Sequence, residues 1–412
     1  MTTSRTTDTT RRHFLRRAAQ GALLGPLAAR LSLAGAASPG VPRLALLILR
    51  GGMDGLAAVP AVGDPSFATA RGALGQFDQP ALPLTSLFAL HPALVQLHAM
   101  YGRGELAVLH ATGLPYRDRS HFDAQQVLES GGTRPFELTT GWLGRALAGS
   151  NQSGIALQPA VPLVLRGHAG VDTWAPSVLP DPGADLLTRL ERLYRADAPL
   201  AQALTRAREL HVEGGMPAMP GMAAAAGMAA SATAVPGRAL AALAALTTQA
   251  AAFLVKPDGP QVAVLEMGGW DTHANQSSPN GPLANNLRQL DAALAALREG
   301  LQPGDTWSRT VVLVLTEFGR QVEVNGPQGS DHGSGGVALA LGGAVRGGQV
   351  IADWPGLAPK DRFEGRDLRI TTDLRALIRT TLHQHLQVSL AKLDSTVLPG
   401  SAGLPMLPLL RG

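Results

Sequence analysis

Asp271 and His273, one residue apart in Gly269-Trp270-Asp271-Thr272-His273, put a carboxylate and an imidazole where both can reach one hard or borderline cation. Asp331-His332 repeats the pairing, and the run Gly333-Ser334-Gly335-Gly336 behind it lets backbone approach a ligand closely. Asp54 in Arg50-Gly51-Gly52-Met53-Asp54-Gly55 and Glu317 in Thr316-Glu317-Phe318-Gly319-Arg320 each follow an apolar run, where a charge must be paired or metal-bound. The residue types therefore point to a divalent metal ion held by Asp54, Asp271, His273, Glu317, Asp331 and His332. Zinc, calcium, magnesium and manganese are not told apart by this set. Each member also has a structural alternative: Arg50 as the partner of Asp54, Arg320 as the partner of Glu317, a cap for Asp271, and a polar turn for Asp331-His332.

Ser120-His121-Phe122-Asp123 stands where a loop enters a helix. Ser120 there is a candidate nucleophile, with the helix N-terminus and Arg117 or Arg119 holding an anionic substrate. Its structural alternative is a near capping box with Asp123, worth about 1 kcal/mol. His121 is a candidate ligand or general base, Arg320 a further anion clamp, and His110 a weaker candidate.

The elements that must position these residues are apolar strands. Val311 to Thr316 is β-branched or leucine throughout and reads as a strand buried on both faces. Val262 to Met267 and Leu44 to Leu49 read the same way, and all three run directly into the acidic motifs. Further strands are expected at Glu105 to His110, Val161 to Leu165 and Val337 to Leu341. Helices are expected at His91 to Tyr101, Ser120 to Glu129, Asp185 to Leu210, Arg238 to Leu254, Leu283 to Arg298 and Asp373 to Leu386. Alternating strands and helices predict an α/β fold with a mostly parallel, doubly wound sheet and helices on both faces. Ligands bind such sheets at the C-terminal strand edge. His211 to Gly237, rich in Met, Ala and Gly, reads as a linker insertion; its thioethers suit Cu(I), with His211 as the sole imidazole nearby.

Thr10-Arg11-Arg12-His13-Phe14-Leu15-Arg16 reads as a twin-arginine signal, followed by a mildly apolar run and the cleavage-compatible Ala34-Gly35-Ala36. The run is too short and polar to span a bilayer. Residues 1–36 are thus expected to be a signal peptide, handled by the twin-arginine export machinery, and 37–412 one periplasmic or secreted α/β domain with no stable membrane anchor. The segment holds six arginines and one acid, a net of +5, so the +4 of the whole chain becomes −1 without it. The basic balance is no argument for nucleic acid. The absence of cysteine excludes disulfides and thiolate chemistry. Aromatics at 4% offer few platforms for stacking on sugars.

These motifs, with Arg119-Ser120-His121-Phe122-Asp123 and Asp353-Trp354-Pro355-Gly356, resemble the exported family labelled domain of unknown function 1501. That family is similar to the alkaline phosphatase and sulfatase superfamily. The resemblance implies an alkaline-phosphatase-like sheet with one or two divalent metals at its edge, beside a nucleophile at a helix N-terminus. Asp54 matches the first-strand Asp ligand and Ser120 the nucleophile. Asp271 and His273 resemble an Asp…His ligand pair, and His332 the late His of that site. Glu317-Phe318-Gly319 lies where Asp-His-Gly is usual, so Phe318 stands in for a ligand and the second metal site is incomplete unless His121 repairs it. The implied activity is hydrolysis of a small anionic phosphate or sulfate ester. The alternative is a non-catalytic exported binding or assembly protein that keeps the fold and a structural metal.

Overall fold

After Arg43, the segment Leu44–Leu49 has no polar side chain to turn toward water, and the structure gives it none. Leu44, Leu46 and Ile48 enter one apolar core, while Ala45, Leu47 and Leu49 enter another. A strand buried on both faces needs a layer of helices above and below. The computed structural model describes residues 40–168, 170–176, 182–213, 236–277 and 279–411. The expected signal peptide lies outside them. All that follows belongs to the unit Pro42–Gly412.

The strands are β1 (Arg43–Leu49), β2 (Leu82–Pro83), β3 (Ala89–Leu90), β4 (Leu106–Gly113), β5 (Gly154–Ala156), β6 (Val171–Thr173), β7 (Val262–Met267), β8 (Thr310–Thr316), β9 (Gly336–Leu341), β10 (Gln349–Ile351) and β11 (Thr372–Asp373). Apart from the small β2–β3 hairpin they form one mostly parallel sheet, in the order β10-β4-β9-β8-β1-β7-β5-β6 with β11 beside β4. β9 alone runs against its neighbours, β8 and β4. It starts at the edge where β8 ends, so the connection 317–335 stays at that edge.

Helices Val95–Gly102, Pro236–Leu254 and Pro282–Gly300 cover one face; His121–Ser130, Trp142–Leu147 and Leu374–Gln384 cover the other. Leu283, Leu287, Leu290, Leu294 and Leu297 recur at alternating four- and three-residue steps, the period of a helix face pressed on a sheet. Each contributes about 1.5–3 kcal/mol of burial. Asp291 on the same helix accepts from the backbone N–H of Gln96 and Leu97 at 3.0 and 2.9 Å, capping a neighbouring helix whose own cap position is Leu94. Among the described residues, no helix is long and apolar enough to cross a membrane.

Two sequence expectations change, and a third lies mostly outside the described residues. Val161 to Leu165 is not a strand: Leu163–Leu165 is a 3-10 turn, and the Val164 N–H donates to Glu129 at 3.0 Å rather than to a strand neighbour. The expected helix Asp185 to Leu210 is two helices, Ala184–Tyr194 and Ala198–Glu213. The break is set by Asp197, which accepts from the Leu200 N–H, and by Pro199 in the next first turn. Of the Met-rich stretch, 211–213 end one helix and 236–237 begin the next, while 214–235 lie outside the described residues.

His110, a weaker candidate for chemistry, is a core residue. It stacks on Phe88 and meets the edge of Trp354, both with ring centres 5.0 Å away, and pairs through Nε2 with the Val59 carbonyl at 2.9 Å. Burial pushes its pKa down to about 4. Between about pH 6.5 and pH 4 the unfolded chain binds a proton that the folded chain refuses, so stability falls as pH drops through that window, by about 3 kcal/mol for this group. Urea unfolding at pH 7 and pH 4.5 is expected to show a smaller acid loss in a His110→Phe variant; an equal loss would contradict the assignment.

Candidate metal centre

Leu49 lies level with Met267 on one side and Thr316 on the other, so the loops leaving β1, β7 and β8 depart at one height. β4 ends at the same edge and feeds the helix His121–Ser130. The connection into β9 returns there with Asp331 and His332. Four strand ends and one strand start thus deliver the chemical residues to a single place.

Three donor atoms, from His121, Asp271 and His332, all lie within 4.8 Å of one another, and His273 Nε2 stands beside two of them as a further candidate. His332 Nε2 lies 3.0 Å from His121 Nε2, 3.0 Å from His273 Nε2 and 3.1 Å from Asp271 Oδ1. Asp271 Oδ1 is 2.9 Å from His273 Nε2 and 3.4 Å from His121 Nε2. Ligands about 2.0–2.1 Å from one tetrahedral ion stand about 3.3 Å apart, which is close to the spacings among His121, Asp271 and His332. Asp271 and His273 remain 45% and 41% exposed, so the centre opens to solvent.

The outer nitrogens decide what the inner ones offer. His121 Nδ1 pairs with Glu317 Oε1 at 2.8 Å, His273 Nδ1 with Asp331 Oδ1 at 2.9 Å, and His332 Nδ1 with the Arg119 carbonyl at 3.0 Å. Those acceptors require protons on Nδ1. Each Nε2 then points a lone pair toward Asp271, a pattern that fits a shared cation and does not fit hydrogen bonds between the rings, although Arg320 Nη1 also lies 3.5 Å from His273 Nε2. Asp271 lies well below the usual carboxylate range: burial opposes this, and hydrogen bonds from Arg320 and, where their Nε2 atoms carry protons in place of a cation, from His121 and His332 outweigh it. Burial disfavours charge on His121 too, yet Asp271 and Glu317 lift it to about 9.

Several residues expected as ligands or substrate contacts lie behind the centre or away from it. Glu317 is buried, with Oε1 taken by His121, the Gly51 N–H and Gln125, and Oε2 by the Thr316 hydroxyl; it orients His121. Asp331 is fixed by Asn325 at 3.0 Å and orients His273. Asp54 does not join the cluster. Its Oδ1 caps Leu56 and Ala57, and its Oδ2 is held by Arg71 and Gln276. Arg50, the structural alternative as partner of Asp54, pairs instead with Glu266 and Glu129.

Arg320 is no anion clamp. Its fully buried guanidinium donates to the carbonyls of Gly51, Gly52, Trp270 and Ser330 and to the Asp271 carboxylate. Arg119 is likewise committed, to Asp367 and Glu364. Ser120 occupies the N-cap position without a capping bond, and the nearby Tyr116 phenol donates to Asp123 at 3.1 Å. Phe318 packs against the rings of His121 and His332, with centres 4.7 and 5.2 Å away. Gly52, at φ +66°, makes room for it, since a Cβ there would lie 2.6 Å from the Phe318 ring. Gln125, Asn325, Arg71, Gln276 and Asp367 also serve the site, and no motif in the sequence marks them.

The molecule is thus a mixed α/β protein with a candidate metal centre of three imidazoles and one carboxylate at the sheet edge. The chain matches the family described as Protein of unknown function (DUF1501) over residues 100–398, well over half its length, and belongs to that family. No curated protein sequence matches it. Among solved structures it is similar to the PsFucS1 sulfatase from Pseudoalteromonas sp., at 14% identity and TM-score 0.39 over 83% of this chain and 67% of that one. It is similar to a phosphonate monoester hydrolase of Agrobacterium radiobacter, at 12% identity and TM-score 0.38 over 84% and 74%. It is also similar to a TAB5 alkaline phosphatase mutant with Mg bound, at 13% identity and TM-score 0.34 over 74% and 91%.

Arg320→Met would strand four carbonyls and one carboxylate. The expected loss is about 3–5 kcal/mol in urea unfolding. A loss below about 1 kcal/mol would show that the loops do not depend on this side chain.

Proposed function

We propose that the protein is a metal-dependent hydrolase of phosphate or sulfate esters. One observation carries the reading: His121, His273 and His332 each spend Nδ1 on an oxygen acceptor and turn Nε2 toward Asp271 Oδ1. Three imidazoles and a carboxylate suit zinc or a similar borderline ion better than calcium or magnesium. When bound, such an ion supplies Lewis-acid polarisation of an ester oxygen and stabilises charge that develops on it.

The chain's own groups support the rest. Glu317, Asp331 and the Arg119 carbonyl hold the imidazole protons on the side away from substrate. The helix that begins at His121 has no side-chain cap bond from Ser120, which favours an anionic group at its first turn. Water is the attacking oxygen in this reading. Among the described residues the imidazoles of His121, His273 and His332 are paired with other groups, and none accepts the Ser120 proton. That same absence favours the second reading, a non-catalytic binding or assembly protein with a structural metal.

Turnover of aryl phosphate and aryl sulfate by the zinc-loaded protein separates the two. His121→Ala and Asp271→Ala are each expected to lower turnover by about a hundredfold or more, and Ser120→Ala to leave most of it. Turnover indifferent to both ligand variants would overturn the hydrolase reading. Metal uptake without turnover of any ester would favour the second.

We propose as well that the chain is exported by the twin-arginine pathway, on the strength of Arg11-Arg12-His13-Phe14-Leu15. Replacing Arg11 and Arg12 with lysine is expected to leave the protein in the cytoplasmic fraction. Unchanged export of that variant would refute the proposal.

A further inference from the structure

Arg119 holds an unusual backbone conformation for an arginine. Its φ is +58°, in the left-handed region that side chains other than glycine, asparagine and aspartate seldom enter. Two carboxylates hold the side chain. The guanidinium donates to Asp367 Oδ2 at 2.8 Å and to Glu364 Oε2 at 2.6 Å. Asp367 is fully buried and is itself fixed by the Ser334 hydroxyl at 2.9 Å and by Arg366 at 2.8 Å.

With the chain turned this way, the Arg119 carbonyl faces His332 and accepts its Nδ1–H at 3.0 Å. His332 is the central donor of the cluster, within 3.1 Å of each of the other three. The other two imidazoles are oriented by carboxylates. His332 depends on a main-chain carbonyl, whose direction depends on a disfavoured torsion, and that torsion is held by a partly buried ion pair with the buried Asp367.

We propose that Arg119 is a positioning residue of the metal centre: its pairing with Asp367 keeps the backbone in the left-handed turn whose carbonyl fixes His332 with Nε2 free for the cation. The inference rests on the metal reading above and adds a residue that touches neither cation nor substrate. It also assigns Asp367 and Ser334, through Arg119, to the same task.

The test compares wild type with Arg119→Ala, Arg119→Gly and Asp367→Asn. Zinc affinity is read by chelator competition and the His332 tautomer by nitrogen NMR of labelled histidine, with circular dichroism confirming the fold. Arg119→Ala is expected to weaken zinc binding about ten- to a hundredfold and to release His332 into mixed tautomers. Arg119→Gly is expected to lose less, since glycine enters the turn without penalty. Asp367→Asn, which keeps the arginine but weakens its anchor, is expected to fall between wild type and Arg119→Ala. Wild-type affinity and an unchanged tautomer in a folded Arg119→Ala variant would overturn this inference alone. A wild-type protein that takes up no zinc would overturn the metal reading and this inference with it.

Discussion

A guanidinium with no surface exposed to water cannot stay charged without an acceptor for the N–H groups that face the interior. Arg320 meets that demand by using all three nitrogens: Nε on Gly52, Nη1 on Ser330, and Nη2 on Gly51, Trp270 and Asp271. Its partners lie on the loops leaving β1 and β7 and on the connection into β9. The strands bring those loops to one edge, and this side chain sets their spacing. Gly51 and Gly52 permit the approach, because a Cβ at Gly51 would lie 2.6 Å from the Asp271 backbone nitrogen.

Around that tie the polar groups are arranged in layers. Nearest the open side are the Nε2 atoms and the Asp271 carboxylate. Behind them stand Glu317, Asp331 and the Arg119 carbonyl, each directing one ring. Deeper still, Gln276 donates to Asp54 and accepts from the hydroxyls of Thr272 at 2.8 Å and Ser330 at 2.6 Å, while Arg71 pairs with Asp54 and donates to the Val322 carbonyl at 2.7 Å. A buried network with this many made bonds is stiff, and stiffness is what a preorganised ligand set requires.

The fold is legible in the sequence where strands are buried on both faces. The runs ending at Leu49, Met267 and Thr316 leave no amphipathic alternative. The short strands β5 and β6, the last two on one side of the sheet, carry three residues each and no such signal. The apolar run Leu163–Leu165 has no mark of its own to separate a strand from a tight turn. The direction of β9 is set by where its connection stays, which side-chain pattern does not encode. At the site, residue type reveals Asp271, His273, His332 and His121. It does not separate a group that faces the shared space from the carboxylate behind it, so Glu317 and Asp331 read as metal-binding alongside the candidate donors. Asp54 is misread because its partner, Arg71, lies in a helix whose packing no local spacing announces.

The central claim is that one cation sits among His121, His273, His332 and Asp271. Crystals of the full chain grown with zinc, with diffraction recorded on both sides of the zinc absorption edge, test it most directly. The account predicts one anomalous peak about 2.0–2.2 Å from each Nε2 and from Asp271 Oδ1. Zinc-saturated protein with no peak between those atoms, or with its ion elsewhere, would contradict it.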